Sequence, residues 1–158
     1  MEGLASGQPS AADVLTEGAQ IPVGVMNAIS SGEGTKLYLS GFEENEGSYV
    51  VTFDYMHQGT PVMLSGAYAG SNAVRLEIEN GYVKSYTHVL RSYAPAGRDM
   101  LVESTYDAVD QIFEGITDIE ERGKQIEAVF VAYDDDGGNG EKQAVWFLKQ
   151  EGTQGYKK

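Results

Sequence analysis

The sequence predicts an α+β fold: an antiparallel sheet of about six strands built from hairpins, with one main amphipathic helix and a short N-terminal helix packed on a face. Three observations point there. Residues 73–88 alternate apolar and polar side chains around Asn80-Gly81, a pair able to hold positive φ at both positions of a two-residue type I′ turn. Ser104 stands three residues before Asp107 and opens a helical pattern with Val109, Ile112, Phe113 and Ile116 on one side. Of 158 residues, 41% are hydrophobic, and 20 glycines against 4 prolines imply many turns within a globular chain.

In chain order, Ser10 can cap a helix of about two turns that ends near Gly18, with Ala12, Val14 and Leu15 as its apolar stripe. Pro22 and Gly24 make residues 21–29 irregular despite their apolar character. Residues 36–42 and 48–56 read as strands of a first hairpin around the polar turn 43–47. Residues 57–60 turn the chain again, and Pro61 can begin an edge strand through Leu64, where its missing donor is harmless. Residues 66–72 form a flexible connection to the hairpin at Asn80-Gly81, whose return strand runs from Tyr82 to about Ser92. A regular ladder there sets Glu79 opposite Tyr82, Ile78 opposite Val83, Glu77 opposite Lys84, Leu76 opposite Ser85 and Arg75 opposite Tyr86. Val74, Leu76, Ile78 and Val83 then share the buried face, while Arg75, Glu77, Tyr82, Lys84 and Tyr86 share the outer one.

Residues 94–97 break the pattern before the helix from Ser104 to Gly115, which should lie across one face of the sheet. Two further strands, 126–133 and 142–149, flank an acidic loop; both carry consecutive apolar residues, which places them centrally or under cover on both faces. One domain is expected over residues 1–158, with 1–35 less regular and 36–150 forming the core.

Eleven basic against 24 acidic residues give a net charge of −13, which repels nucleic acid and anionic lipid. Cysteine is absent, which removes disulfides, thiolate metal sites and cysteine nucleophiles. No apolar run reaches membrane-spanning length, and residues 1–7 lack the marks of a signal peptide.

Residue chemistry offers few catalytic candidates. The loop from Asp134 to Glu141 has acids at its first and third positions, but Gly138 and Val145 fall where an EF-hand needs oxygen ligands, so it reads as a mobile hairpin loop and no metal is expected. His57 and His88 stand in no metal-binding pattern and read as exposed structural histidines. A hydrolase built on Asp54, His57 and Ser65 would lack a nucleophile elbow. The glycine pairs match neither a dinucleotide fingerprint nor a phosphate loop, so no cofactor is expected. Tyr82, Tyr86 and Tyr93 could form a recognition patch on the outer hairpin face, unless another part of the chain covers them.

Phe53-Asp54-Tyr55, Gly59-Thr60-Pro61-Val62, the hairpin over 73–86, residues 129–133 and Ala144-Val145-Trp146 together resemble the carboxy-terminal domain of the YycH and YycI proteins, over about 49–150. These are membrane-anchored, extracytoplasmic regulators of a Gram-positive two-component system. The pattern shared is an F-x-Y strand, a turn into P-V, a hairpin, a helix and a closing strand pair ending in tryptophan. Ala144 and Val145 stand where a proline often precedes that tryptophan, and the family's membrane helix is missing here. The resemblance implies a non-enzymatic regulatory domain outside the membrane, held there by an anchor beyond this sequence, contacting a sensor kinase ectodomain or a sister regulator. Arg75, Glu77, Tyr82, Lys84 and Tyr86 are the expected contact residues. The alternative is a small-ligand or peptide-binding module of PepSY-like type, using a groove between helix 104–115 and the sheet.

Overall fold

The computed structural model describes residues 32–158 apart from Arg98 and Gln154, so the helix expected over 10–18 and the irregular stretch 21–29 lie outside the described residues. The elements are β1 (Thr35–Asn45), β2 (Ser48–His57), β3 (Thr60–Leu64), a 3-10 turn (Gly66–Tyr68), β4 (Val74–Glu79), β5 (Tyr82–His88), α1 (Thr105–Gly115), α2 (Ile119–Arg122), β6 (Ile126–Asp135) and β7 (Gln143–Gln150). The fold is α+β, mostly antiparallel, with seven strands among the described residues where about six were expected. The described residues divide into two compact units, one from 32–58 and 72–94 and the other from 59–71 and 95–158.

In the first unit β2 pairs antiparallel with β1 on one side and β4 on the other, and β4 pairs with β5. Glu46 and Gly47, at φ 39° and 87°, close the first hairpin as a two-residue turn, tighter than the loop expected over 43–47. Every second residue of β2 is buried, from Tyr49 to His57. This period-2 pattern builds a core of Tyr49, Val51, Phe53, Val74, Leu76 and Ile78, with Leu37 and Phe42 against it.

In the second unit β6 pairs antiparallel with β7, and β3 pairs parallel with β6 through Val62–Tyr133, Met63–Asp134 and Leu64–Asp135. A sheet built from hairpins alone is therefore corrected: β3 meets a strand distant in sequence. Pro61 sits just ahead of that paired stretch, so its missing N–H removes no bond to β6.

The capping box forms as its residues demand. The Asp107 amide donates to Ser104 Oγ at 3.3 Å, and that hydroxyl donates to Asp107 Oδ2 at 2.6 Å. Ala108 and Ile112 are the buried helix residues, and Ile112 and the capping residue Ile116 pack on Leu148, with Val109, Phe113, Val129 and Trp146 around them. Trp146 Nε1 donates to the Glu103 carbonyl at 2.9 Å, tying the chain ahead of the helix to β7.

Cover on both faces holds only locally, at Phe147 and Leu148, because most of β6 and the start of β7 remain half-buried or exposed. Gln150, 1% exposed, donates from Nε2 to the carbonyls of Glu121 at 2.8 Å and Lys124 at 3.4 Å, which fastens the chain after α1 to the end of β7.

Candidate functional site

Asn80 and Gly81 adopt φ 52° and 80°, so the tip of the β4–β5 hairpin closes as its sequence dictates, with Glu79 opposite Tyr82 and Ile78 opposite Val83. One step further the regular ladder fails. Lys84 is the extra residue of a bulge, and beyond it Glu77 faces Ser85, Leu76 faces Tyr86, Arg75 faces Thr87 and Val74 faces His88. The pairings Glu77–Lys84, Leu76–Ser85 and Arg75–Tyr86 are overturned, because a one-residue slip sends every later side chain to the other face. The gain is physical: two rings, Tyr86 and His88, take the inward positions that a regular ladder would give to Ser85 and Thr87.

The five expected contact residues are thereby split. Arg75, Glu77 and Tyr82 share the outer face; Tyr86, 37% exposed, shifts to the opposite face and Lys84 stands in the bulge. Arg75 pairs along its own strand with Glu77 at 3.1 Å, and Lys84 reaches Glu79 at 2.8 Å. The Glu79 hydrogen bond and charge hold the Lys84 ammonium above the usual lysine value. Tyr82 is 79% exposed. Val83, expected in the core, is 47% exposed although it stands opposite the buried Ile78, on β5, which pairs with β4 alone among the described strands.

Tyr86 and His88 enter a polar network that sequence reasoning missed. His88 Nδ1 lies 2.8 Å from Tyr86 Oη and its Nε2 lies 3.0 Å from Tyr55 Oη. The Tyr55 hydroxyl donates to the Val89 carbonyl at 3.0 Å and accepts from the Arg91 amide at 3.2 Å. With its one proton committed, Tyr55 can only accept from His88, so the imidazole carries its hydrogen on Nε2 and accepts from Tyr86 at Nδ1. Burial lowers the His88 pKa and raises that of Tyr86, so both are neutral near pH 7. Tyr93 packs edge-on against Tyr55 at 5.5 Å, and lies 6.2 Å from His57. The patch of Tyr82, Tyr86 and Tyr93 is therefore not one surface: Tyr82 lies on the outer face, Tyr86, still 37% exposed, lies on the opposite one, and Tyr93 packs on Tyr55. The signal in the sequence was Tyr86-x-His88, two rings at strand spacing beside Tyr55 in F-x-Y.

Both histidines depart from the exposed role expected of them. His57 is 5% exposed with Nδ1 2.9 Å from Thr35 Oγ1, and His88 is half-buried. Asp54 stands on the opposite face of β2 from His57, an odd number of residues apart, and accepts from Asn72 Nδ2 at 3.1 Å and the Ala73 amide at 3.0 Å. Its carboxylate fixes the chain's entry into β4. Asp54 and His57 are thus not brought together, and the hydrolase reading loses its base and orienting acid.

In the second unit the acidic loop is closed by a lysine. Lys142 Nζ lies 2.9 Å from Asp135 Oδ1, 2.7 Å from Asp136 Oδ1 and 2.9 Å from the Gly138 carbonyl, which uses all three of its protons. Asp135 is wholly buried and also accepts from the Gly137 amide at 3.0 Å. Gly66, at φ 54°, lets the 3-10 turn approach this loop: an added Cβ would lie 2.6 Å from the Asp136 carbonyl oxygen. Lys142 supplies the positive charge that the calcium reading asked of a metal. Among the described residues no group of three or more potential ligands is placed to hold a metal ion.

Ile112 and Ile116 fill the expected groove between α1 and the sheet by packing on Leu148. An open cleft of about 380 Å³ remains at the C-terminal end of the helix, beside Gly115, Thr117 and Glu121. No helix among the described residues is long and apolar enough to cross a membrane. No protein-family model matches this chain, and no curated protein matches it.

Proposed function

We propose that this protein is a non-enzymatic regulatory module that acts by protein contact, through the outer face of the β4–β5 hairpin. The reading rests on one observation: Tyr82 is 79% exposed on a paired strand, opposite Glu79 and on the face that also carries Arg75 and Glu77. A tyrosine on a sheet offers a large amphipathic surface that loses little entropy on binding, the profile of an interface anchor. By the resemblance to the YycH and YycI regulators, the partner is a sensor kinase ectodomain or a sister regulator, met outside the membrane. Tyr86 does not belong to the contact surface in this reading; it holds the bulge that presents the rest.

Titration calorimetry against the kinase ectodomain and the sister regulator tests the proposal. Tyr82→Ala should weaken binding by more than about tenfold, the loss expected of an interface anchor, while Tyr106→Ala in the other unit leaves it unchanged. Absence of binding to either class of partner overturns the reading. The small-ligand alternative draws on the cleft beside Gly115 and Thr117. It would be favoured by a compound that raises the melting temperature and loses that effect in Thr117→Trp.

A further inference from the structure

The outer edge of β7 carries a short strand from the same chain. The Leu148 amide donates to the Lys157 carbonyl and the Lys157 amide to the Leu148 carbonyl, both at 2.8 Å, a reciprocal antiparallel pair. Side chains on either side of Lys157 alternate as a strand requires. Tyr156 goes to the face away from α1, where its ring stands edge-on to Phe130 at 5.2 Å, and Lys158, which also borders the cleft at the end of α1, pairs through its ammonium with Asp134. Lys157 goes to the helix side and pairs with Glu121 at 2.6 Å, at the rim of the cleft formed by Ile112 and Ile116. Three side-chain subsites, one aromatic and two acidic, therefore flank one backbone pairing position. Asp134 Oδ1 is buried without a hydrogen-bond partner, so this acid has acceptor capacity that the resident lysine leaves unused.

We infer that the β7 edge is a docking site for an extended basic segment of another protein, of the pattern aromatic-Lys-Lys, and that residues 156–158 occupy it in cis. The surface is distinct from the hairpin face and the inference does not depend on it. Backbone pairing supplies affinity that is indifferent to sequence, while the Phe130, Glu121 and Asp134 subsites supply the preference. The resident strand makes one reciprocal backbone pair and two ion pairs with partly exposed lysines, a hold that an incoming segment can displace. With a net charge of −13, the protein also draws basic segments toward it and repels acidic ones. Because the tethered strand competes at high effective concentration, the site is masked until that strand leaves, and the masked fraction sets the apparent affinity.

The test uses the full chain and a fluorescent peptide of sequence TQGYKK, with TQGYEE as control. Lys157→Glu combined with Lys158→Glu should release the resident strand and bind TQGYKK roughly tenfold or more tightly than the unsubstituted protein does. Adding Glu121→Gln should reverse most of that gain, and TQGYEE should bind neither form. Equal binding of TQGYKK before and after release, or equal binding of the two peptides, overturns the proposal. Concentration-dependent dimerisation of the unsubstituted protein, suppressed by excess TQGYKK, would show that the occupant is a second copy and overturn the assignment to another protein. If the released variant does not fold, the unsubstituted chain decides: millimolar TQGYKK must shift the Leu148 and Lys157 amide resonances, and unchanged resonances refute the site.

Discussion

Replacing Lys142 with methionine keeps the length and apolar stem of the side chain and removes only the ammonium. What is left behind is Asp135, wholly buried, with the Gly137 amide still at 3.0 Å but the Lys142 ammonium gone. Three hydrogen bonds of 2.7–2.9 Å vanish together, two of them to carboxylates. Breaking a buried ion pair from one side costs about 3–5 kcal/mol. Lys142 retains 13% side-chain exposure and Asp136 retains 67%, so water recovers part of the loss and about 3 kcal/mol is the expected value. Lys149→Met is the matched control, since its partner Glu127 lies at 2.8 Å with both side chains more than a third exposed; it should leave the unfolding midpoint nearly unmoved. Urea unfolding followed by the fluorescence of Trp146, the only tryptophan, reads out the second unit directly. A loss below about 1 kcal/mol for Lys142→Met, equal to the control, would refute the view that the ammonium is what holds the acidic loop.

The same pair sets a pH window. The hydrogen bond from Lys142 lowers the Asp136 pKa, so this contribution is present above the ordinary aspartate value and fades as pH falls through the lowered one; Lys142→Met should flatten that acid limb. For Lys142, burial pushes the pKa down but the Asp136 and Asp135 interactions outweigh it; the raised value means a contribution complete below the ordinary lysine pKa and lost as pH rises through the raised one. His88, lowered by burial, stabilises the first unit fully above the ordinary histidine value; the contribution declines as pH falls below that value toward the lowered one, and His88→Gln should remove the pH dependence in thermal melts. Tyr55→Phe strips partners from His88 Nε2, the Val89 carbonyl and the Arg91 amide, and should cost about 1–3 kcal/mol by urea titration. Ser104→Ala should cost about 1 kcal/mol in the same assay, through the lost cap of α1.

Much of the fold was written in local pattern. Alternation named β1, β2 and β4, Asn80-Gly81 fixed one turn, and Ser104 with Asp107 fixed the start of α1, because each depends on neighbours a few residues away. The bulge at Lys84 was not legible, since a regular and a bulged ladder satisfy the same turn and differ only in what lies across the sheet. Tyr55 decides between them: its hydroxyl sits where an inward His88 can donate to it, and no spacing within residues 82–88 reveals that. The partner of Lys142 was hidden for a different reason. Counting ligands along the loop argues against a calcium site, but a lysine folded back onto the loop's second and third acids is a matter of three dimensions. The β3–β6 pair was missed because sequence order favours hairpins, and a parallel pair needs a crossover that leaves no local mark.

That parallel pair also governs the order in which the chain can fold as it is made. Strands β1, β2, β4 and β5 have all been made once His88 is added, well before β6, so their antiparallel ladders can close early. Val62 and Leu64, buried in the finished protein, must wait for Tyr133 and Asp135 to pair with them. Contacts this distant in sequence close slowly, because loop entropy is spent before any contact repays it. A nascent chain paused between β5 and β6 therefore holds a completed first ladder and a β3 whose parallel partner does not yet exist, and that interval is when it most needs protection from aggregation.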